Sequence, residues 1–521
     1  MEQVVAVLDI GKTNKKVAIF DDHLVMRDTR RRKIEPVVVD GLRVEDVETI
    51  EAWFLEQLRE LSATWRIRAI SIATHGAAVV CVGPDGNPSV PPVDYTQEVE
   101  EGVRERFFAE MGSPEALQQT TATTEIQPLI NVGKLLFFLK ERYPDRFAET
   151  RHVLLYPQYF AYRLTGVATA DITYTGCHTY LWDHRKNDWS PVVDKLGIRD
   201  ALPEQPVPPA TAVGTITPEV ADATGLDRGT IVTAGIHDSN SSLIPYLITR
   251  ESDFVLNSTG TWCVAMRPTG TVSFTPDEIG KMVFFNTGYD GRPVKTSILM
   301  GGLEYETYRT ILTERHGRSD EPALNTALLE ELAGAADAFV LPSVVKGSGQ
   351  FPDSEARVVE TEGGGGADSG AVNVGGNGNG TAFRSILLTE ILDGTTFPRS
   401  FEDYERALVL VDLSVAIQSV VALQRVGMED GTEIFIEGGF RNNATYLAIL
   451  SALLPKNPIF LTSVAEATAF GAALCGRAAL EGKPVEGLAD TVHLETVPVD
   501  AVSIPGIDGY HAAFMELLDP R

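Results

Sequence analysis

The stretch VVAVLDIGKTNKKVAIFD, Val4 to Asp21, is an apolar run ending in a carboxylate, then a short turn, then a second apolar run. That pattern predicts a β-hairpin whose turn is Gly11-Lys12-Thr13-Asn14. A carboxylate at the strand end (Asp9), followed by glycine and hydroxyl or amide residues, is able to hold a hydrated Mg²⁺ beside a phosphate chain. Glycine lets the backbone approach closely, and the turn N–H groups face the anion. Taken alone, the same residues equally make a plain β-turn.

The plan recurs in the second half of the chain. FVLNSTGTWCVAM, Phe254 to Met266, is again strand, small-residue turn and strand, so Thr259, Gly260 and Thr261 are candidate donors to a terminal phosphate. A third cue is EGGFRNN, Glu437 to Asn443, where paired glycines between a strand and a helix allow a flat base or ribose to lie on the backbone. Around these cues strands and helices alternate. Helical spacing runs from Glu45 to Ser62, from Gln127 to Leu139 and from Tyr404 to Val426, and EATAFGAALCGRAAL (Glu466–Leu480) is a small-residue helix. RAISIAT ends a buried-type strand at Thr74, and a strand near Thr230–Ala234 runs into GIHDSNSS. Such alternation implies α/β domains with mixed sheets. Glu362 to Thr381 is glycine-rich and nearly without apolar residues, which predicts a mobile surface loop.

Composition bounds the partners. The 521 residues carry a net charge of −28, with 44% apolar and 22% charged residues, as in a soluble globular protein. This acidity argues against duplex nucleic acid and anionic membranes as partners, while a nucleotide needs only a local cluster of donors. Cys81, Cys177, Cys263 and Cys475 lie too far apart for a zinc knuckle or a disulfide framework, which fits a reducing compartment. Neither a leader nor a membrane span is expected, so the cytoplasm is the expected location.

The order of the motifs is more specific than any one of them. DIGKTNKKVAIFD, KLLFFLKERYPDRF, YFAYRLTGVATAD, AGIHDSNSS, NSTGTW, EGGFRNN and EATAFGAAL follow one another as they do in the FGGY carbohydrate kinases, which the chain resembles over nearly its whole length. In appearance it is most similar to the rhamnulokinase-like and fuculokinase-like branch. The resemblance implies two actin-like (ribonuclease H-like) α/β domains with mixed sheets flanked by helices, residues 1–247 and 248–521, with a cleft between them. The first domain would bind sugar and carry the catalytic base; the second would bind ATP.

The activity implied is transfer of the γ-phosphoryl group of ATP, with Mg²⁺, to a sugar hydroxyl. Asp238 would be the base. Gly11, Thr13, Lys16, Thr259, Gly260, Thr261, Gly438, Gly439 and Asn442 would contact ATP, and Asp9 would face the metal, mainly through water. Thr74, His75, Gly76, Gln97, His178, His237 and Asp238 are the sugar-side candidates. A helix-capping role for Asp238 and a packing role for His237 stand beside those assignments.

Several positions depart from the family pattern. Thr96 and Gln97 stand where charges are usual, Gln158 where Asp is usual, Lys12 where a small residue is common, and Cys177-His178 in a loop rich in small residues. The imidazoles and Gln97 suit a neutral sugar, and Ala77, Ala78 and Val79 are candidates for a methyl pocket. A (deoxy)ketose such as L-rhamnulose or L-fuculose is the expected acceptor. A short polyol such as glycerol, and a non-catalytic sugar or nucleotide sensor on the same fold, are the alternatives. The expected partners are thus small molecules, with a homodimer allowed.

Overall fold

The computed structural model describes residues 3–361, 372–373, 382–462, 464 and 466–518. Two seven-stranded mixed sheets organise the chain, one in each half. In the first, the order is Ala212–Thr215, Ile231–Thr233, Arg66–Thr74, Gln3–Ile10, Asn14–Phe20 and Met26–Lys33, with Ile236–His237 also paired to Arg66–Thr74. The Val4–Asp21 hairpin forms as expected: Asp9 stands opposite Lys16 and Ile10 opposite Lys15. Lys15 is fully buried under the turn, where its ammonium donates to the Gly11 and Lys12 carbonyls at 3.1 and 2.9 Å.

The second sheet repeats the plan. Phe254–Thr259 and Cys263–Pro268 make its hairpin, and Phe254–Thr259 runs parallel to Glu433–Gly438 just as Gln3–Ile10 runs parallel to Arg66–Thr74. Strand interiors such as Val5–Leu8 and Val255–Leu256 are buried on both faces, because helices cover each sheet. The Tyr404–Arg425 helix is long and apolar enough to cross a membrane but is almost wholly buried among the second-half helices and strands, as a core helix. The glycine-rich stretch expected to be a mobile loop lies outside the described residues, apart from Val372–Asn373, which pairs with Ala382–Leu387.

The halves are interlocked by the small-residue helix Ala467–Glu481. It belongs to the second half in sequence, yet Ala469, Ala472, Ala473, Cys475 and Ala478 share one core with Val5, Val7, Ala69 and Ile236 of the first sheet. The same core holds Leu243, Ile244 and Tyr246 of the Asp238–Thr249 helix. Only small side chains permit that approach. A Cβ on Gly471 would stand 1.9 Å from the Ser241 carbonyl oxygen, and Ser241 Oγ donates to the Thr468 carbonyl at 2.7 Å.

Gly471→Val therefore wedges apart two helices that have no slack. Overpacking of this kind costs about 1–3 kcal/mol, so the variant is expected to unfold at lower urea concentration than the parent. An unchanged midpoint would mean that the two helices are free to separate.

Candidate active site

Three chain segments end side by side at one edge of the first sheet. Ile10 pairs with Thr74, and Thr74 pairs with His237, so the strand ends bring Asp9, His75 and the His237-Asp238 pair together. Carboxyl ends of parallel strands are where open α/β sheets bind ligands. Asp238 is the first residue of the Asp238–Thr249 helix, with His237 at the cap position. Its Oδ1 accepts from the Ser239 N–H at 2.6 Å and stands 3.4 Å from His237 Nε2, and a third of its side chain remains exposed. Burial pushes its pKa up, against the pull of His75 and the Ser239 N–H.

His75 is buried, and its Nδ1 donates to the Gly76 carbonyl at 2.8 Å. That leaves Nε2, which has no hydrogen-bond partner, as a lone pair 3.7 Å from Glu45 Oε1. Burial holds the ring below its ordinary pKa despite Glu45. The His237 and His178 rings lie 5.7 Å apart, and burial pushes each down to about 3. The wall is thus made of neutral imidazoles that accept or donate single hydrogen bonds.

Around them sits a dense set of charges. Lys12 Nζ reaches Glu45 Oε1 at 2.7 Å and Asp94 Oδ1 at 2.6 Å, and lies 4.5 Å over the Tyr95 ring. Burial would raise the Asp94 pKa, but Lys12 and the Thr96 N–H hold it below the usual value. Lys16 Nζ meets Asp9 Oδ2 at 2.8 Å and also pairs with Glu466 from the start of the small-residue helix. The Asp9 pKa is raised by burial, with Asp238 and Glu466 adding to the rise and Lys16 opposing it.

Some expected residues lie elsewhere or are committed to the protein. The Gln97 amide is spent on backbone, accepting from the Arg43 N–H at 2.8 Å and donating to the Glu98 carbonyl at 2.7 Å. Asp94, on the other side of Tyr95, places a carboxylate against Lys12. Thr74 is buried, with its hydroxyl on the His75 carbonyl at 3.0 Å. Ala78 and Val79 are packed into the first-half core. Thr13 is exposed at the hairpin tip, and Gly11 is half-buried beside it.

The second cluster surrounds the other hairpin. The Thr259 hydroxyl is engaged with backbone: it donates to the Glu437 carbonyl and accepts from the Phe440 N–H at 3.1 Å. The Gly260 N–H likewise closes the turn on the Trp262 carbonyl at 3.0 Å. Thr259 thereby ties the hairpin to the Gly438-Gly439 turn. Gly438 takes φ of 85°, and a Cβ there would stand 1.9 Å from the Thr259 carbonyl oxygen. Gly439, Gly260 and Thr261 line a cavity of about 380 Å³ together with Tyr305 and Asn443. Asn442, Asn443 and Tyr305 continue into an adjoining cavity of about 240 Å³ that reaches Asp412. Asn443 donates to Asp412 Oδ1 at 2.7 Å, and burial pushes Asp412 up to about 8.

Glu45, Asp94, Glu466, Tyr305 and Asp412 escape sequence reasoning. Only Asp412 carries a visible signal, a lone charge in the middle of an apolar helix. The two clusters are joined by the Asp238–Thr249 helix, whose Tyr246 hydroxyl donates to the Glu437 carboxylate one residue before Gly438.

The sequence model described as the FGGY family of carbohydrate kinases, N-terminal domain, matches residues 4–245, and the carbohydrate kinase FGGY C-terminal domain matches residues 251–373. The chain belongs to the FGGY family of carbohydrate kinases. It is 28% identical over 300 residues to a rhamnulokinase of Pectobacterium carotovorum subsp. carotovorum, covering 56% of this chain and 58% of that protein. It is also 28% identical over 283 residues to an L-fuculokinase of Salmonella typhi, covering 52% and 58%. The aligned part thus spans little more than half the length of these relatives. A carbohydrate kinase from Novosphingobium aromaticivorans has a similar fold, with a TM-score of 0.76, 25% identity and coverage of 99% of this chain and 98% of that one.

Replacing Lys12 by Met leaves Glu45 and Asp94 facing each other without their ammonium. For a partly exposed lysine on two buried acids the expected loss is about 1–3 kcal/mol near neutral pH. Because the folded Asp94 sits below its ordinary value, its contribution is complete above about pH 4 and disappears as the pH falls through the folded pKa. Urea unfolding of the parent and Lys12→Met should therefore differ most near neutrality and converge in acid. Equal stabilities at pH 7 would remove this pair from the fold's support.

Proposed function

We propose that this chain is an ATP- and Mg²⁺-dependent sugar kinase that phosphorylates a hydroxyl of a neutral sugar, with Asp238 as the base. The observation that carries this reading is Asp238 itself: a carboxylate raised by burial, at a helix N-terminus, partly exposed and flanked by neutral imidazoles. Phosphoryl transfer needs little covalent help. It needs an aligned nucleophile, neutralised charge and one group to accept the hydroxyl proton. In this reading the acceptor hydroxyl donates to Asp238 while His75 Nε2, His178 and His237 orient its neighbours. Gly76 keeps the floor of the site open, and Thr74 positions His75 rather than touching sugar.

The first half, residues 1–247, would thus supply the sugar site, and the second half, residues 248–521, the nucleotide site. Gly439 and Asn442 border cavities suited to adenosine, with Gly438 shaping the turn before them, and the exposed Thr261 and the Gly11–Thr13 turn would meet phosphates. The carboxylate oxygens of Asp9 and Glu466 are donors of the kind a hard divalent cation takes. Asp9 would hold Mg²⁺, through water, and the ion would offset phosphate charge when bound. Closure of the two halves over both substrates would exclude water and limit ATP hydrolysis.

The acceptor is proposed to be neutral because Lys12, Lys16, Arg31 and Arg43 are each already paired with Asp9, Glu45, Asp94 or Glu466, while the groups beside Asp238 are imidazoles, so none of these cations is left over to hold a sugar acid. A (deoxy)ketose such as L-rhamnulose or L-fuculose is favoured, as the names of the two relatives suggest. Four free, buried cysteines are consistent with a cytoplasmic enzyme.

The test is ADP release from Mg·ATP across ketoses, aldoses, polyols and sugar acids. One neutral sugar should be turned over, and Asp238→Asn should lower kcat by about 10²–10⁴-fold with ATP affinity nearly unchanged. A variant with kcat near the parent would show that another group accepts the proton. Turnover of carboxylated sugars alone would overturn the substrate class. Asp9→Ala should raise the Mg²⁺ concentration needed for half-maximal rate, and an unaltered requirement would remove Asp9 from the metal.

A further inference from the structure

Two imidazoles of the proposed acceptor site, His178 and His237, belong with Cys177 to a cluster whose thiol phosphoryl transfer does not use. Cys177, His178 and His237 each present one ligand-type atom, and these atoms lie within 4.8 Å of one another. Cys177 Sγ is 3.7 Å from His237 Nε2. The Nε2 atoms of His178 and His237 converge over the Cα of Gly76, where a Cβ would stand 2.8 and 2.7 Å from them. Any residue but glycine would fill that space.

The spacing is that of a first coordination shell just short of closure. With metal–sulfur bonds of about 2.3 Å and metal–nitrogen bonds of about 2.0–2.1 Å, tetrahedral ligand atoms stand about 3.4–3.6 Å apart. The Sγ–Nε2 pair is already near that separation, and side-chain rotation closes the rest. An imidazole gives a metal the lone pair of one ring nitrogen. A metal on His237 Nε2 requires the ring proton on Nδ1. Asn240 holds that atom, with its amide nitrogen at 3.3 Å and its Oδ1 buried without a partner. Half a turn of the amide puts Oδ1 against Nδ1–H, the outer-shell support that metal-bound histidines use.

We propose that Cys177, His178 and His237 form a three-ligand site for a thiophilic divalent cation of the zinc class, with its fourth position open toward Asp238. Asp238 Oδ1 already lies 3.4 Å from His237 Nε2. One thiolate and two imidazoles select zinc or cobalt over magnesium, which keeps to oxygen. On binding, the Cys177 thiol gives its proton to solvent and the sulfur–metal bond forms, with no change in oxidation state. The bound cation takes the imidazole lone pairs that acceptor hydroxyls would use, so it inhibits competitively with sugar and not with ATP. That consequence rests on the kinase reading, whereas the binding does not.

The full chain, in excess Mg²⁺, is titrated with Co²⁺ and followed by absorption, then with Zn²⁺. The parent should take up Co²⁺ with a near-ultraviolet thiolate-to-cobalt band that Zn²⁺ abolishes. Cys177→Ser should lose the band, keep the parent's sugar turnover and need about tenfold more Zn²⁺ for inhibition. His178→Gln, read by the spectrum alone, should lose it too, which keeps the test decisive if the serine variant does not fold. No band in the parent overturns the proposal, as does a band that survives in Cys177→Ser, since Cys81, Cys263 or Cys475 would then be the ligand. A band that behaves as expected in a chain that phosphorylates no sugar upholds the cation site and sinks the kinase reading instead.

Discussion

The close approach of Gly471 to the Ser241 backbone governs the geometry of everything around it. The Ala467–Glu481 helix comes late in the chain but packs on the first sheet, and it pins the Asp238–Thr249 helix from behind. That pinned helix has Asp238 at its N-terminus and Tyr246 two turns on, hydrogen-bonded to Glu437 beside the glycine pair. One element therefore sets the position of the candidate base relative to the neighbouring imidazoles and to the Gly438-Gly439 turn. Close-packed interiors transmit small displacements, so a change at the contact with Gly471 is felt at both clusters without touching either.

Charge is distributed with similar economy. Lys12 takes Glu45 and Asp94, and Lys16 takes Asp9 and Glu466. Among the described residues Asp238 is left without a lysine or arginine partner, with His237 beside it and His75 nearby. A cation beside Asp238 would depress its pKa and weaken it as a proton acceptor. Burial and the absence of a counter-ion act in the opposite direction, while the helix N-terminus and the Ser239 N–H limit how far the rise goes. The two lysines serve the surrounding carboxylates and leave the candidate base without an ammonium partner.

The hairpins, the glycine pair and the Asp238 helix were legible because strand alternation and turn chemistry are local. The small-residue helix was legible as a helix, but its partner was not. Alanines and glycines specify that something comes close, never what. The backbone bonds of Thr259 were illegible for a related reason: a hydroxyl in a turn reads the same whether it bonds to backbone or to a ligand. The backbone bonds of Gln97 were hidden likewise, and nothing local set Asp94 against Lys12. Glu45 and Glu466 were illegible because each acts across a long sequence separation, on Lys12 and on Lys16. Their pairings belong to topology rather than to pattern.

Lys16 brings the sequence expectation and the observed contacts into a single account. It was expected at phosphate, and it is found between two carboxylates from opposite halves of the chain. These roles are compatible, because an ammonium has three protons and the carboxylates take two. The remaining proton is free for an anion arriving at the Gly11–Thr13 turn. Such an anion would raise the negative charge around Lys16 further, which strengthens the case for a divalent cation at Asp9 before a phosphate chain settles there. The first-half turn thus has a lysine fixed in place by Asp9 and Glu466, so little side-chain entropy is left to lose when a phosphate binds.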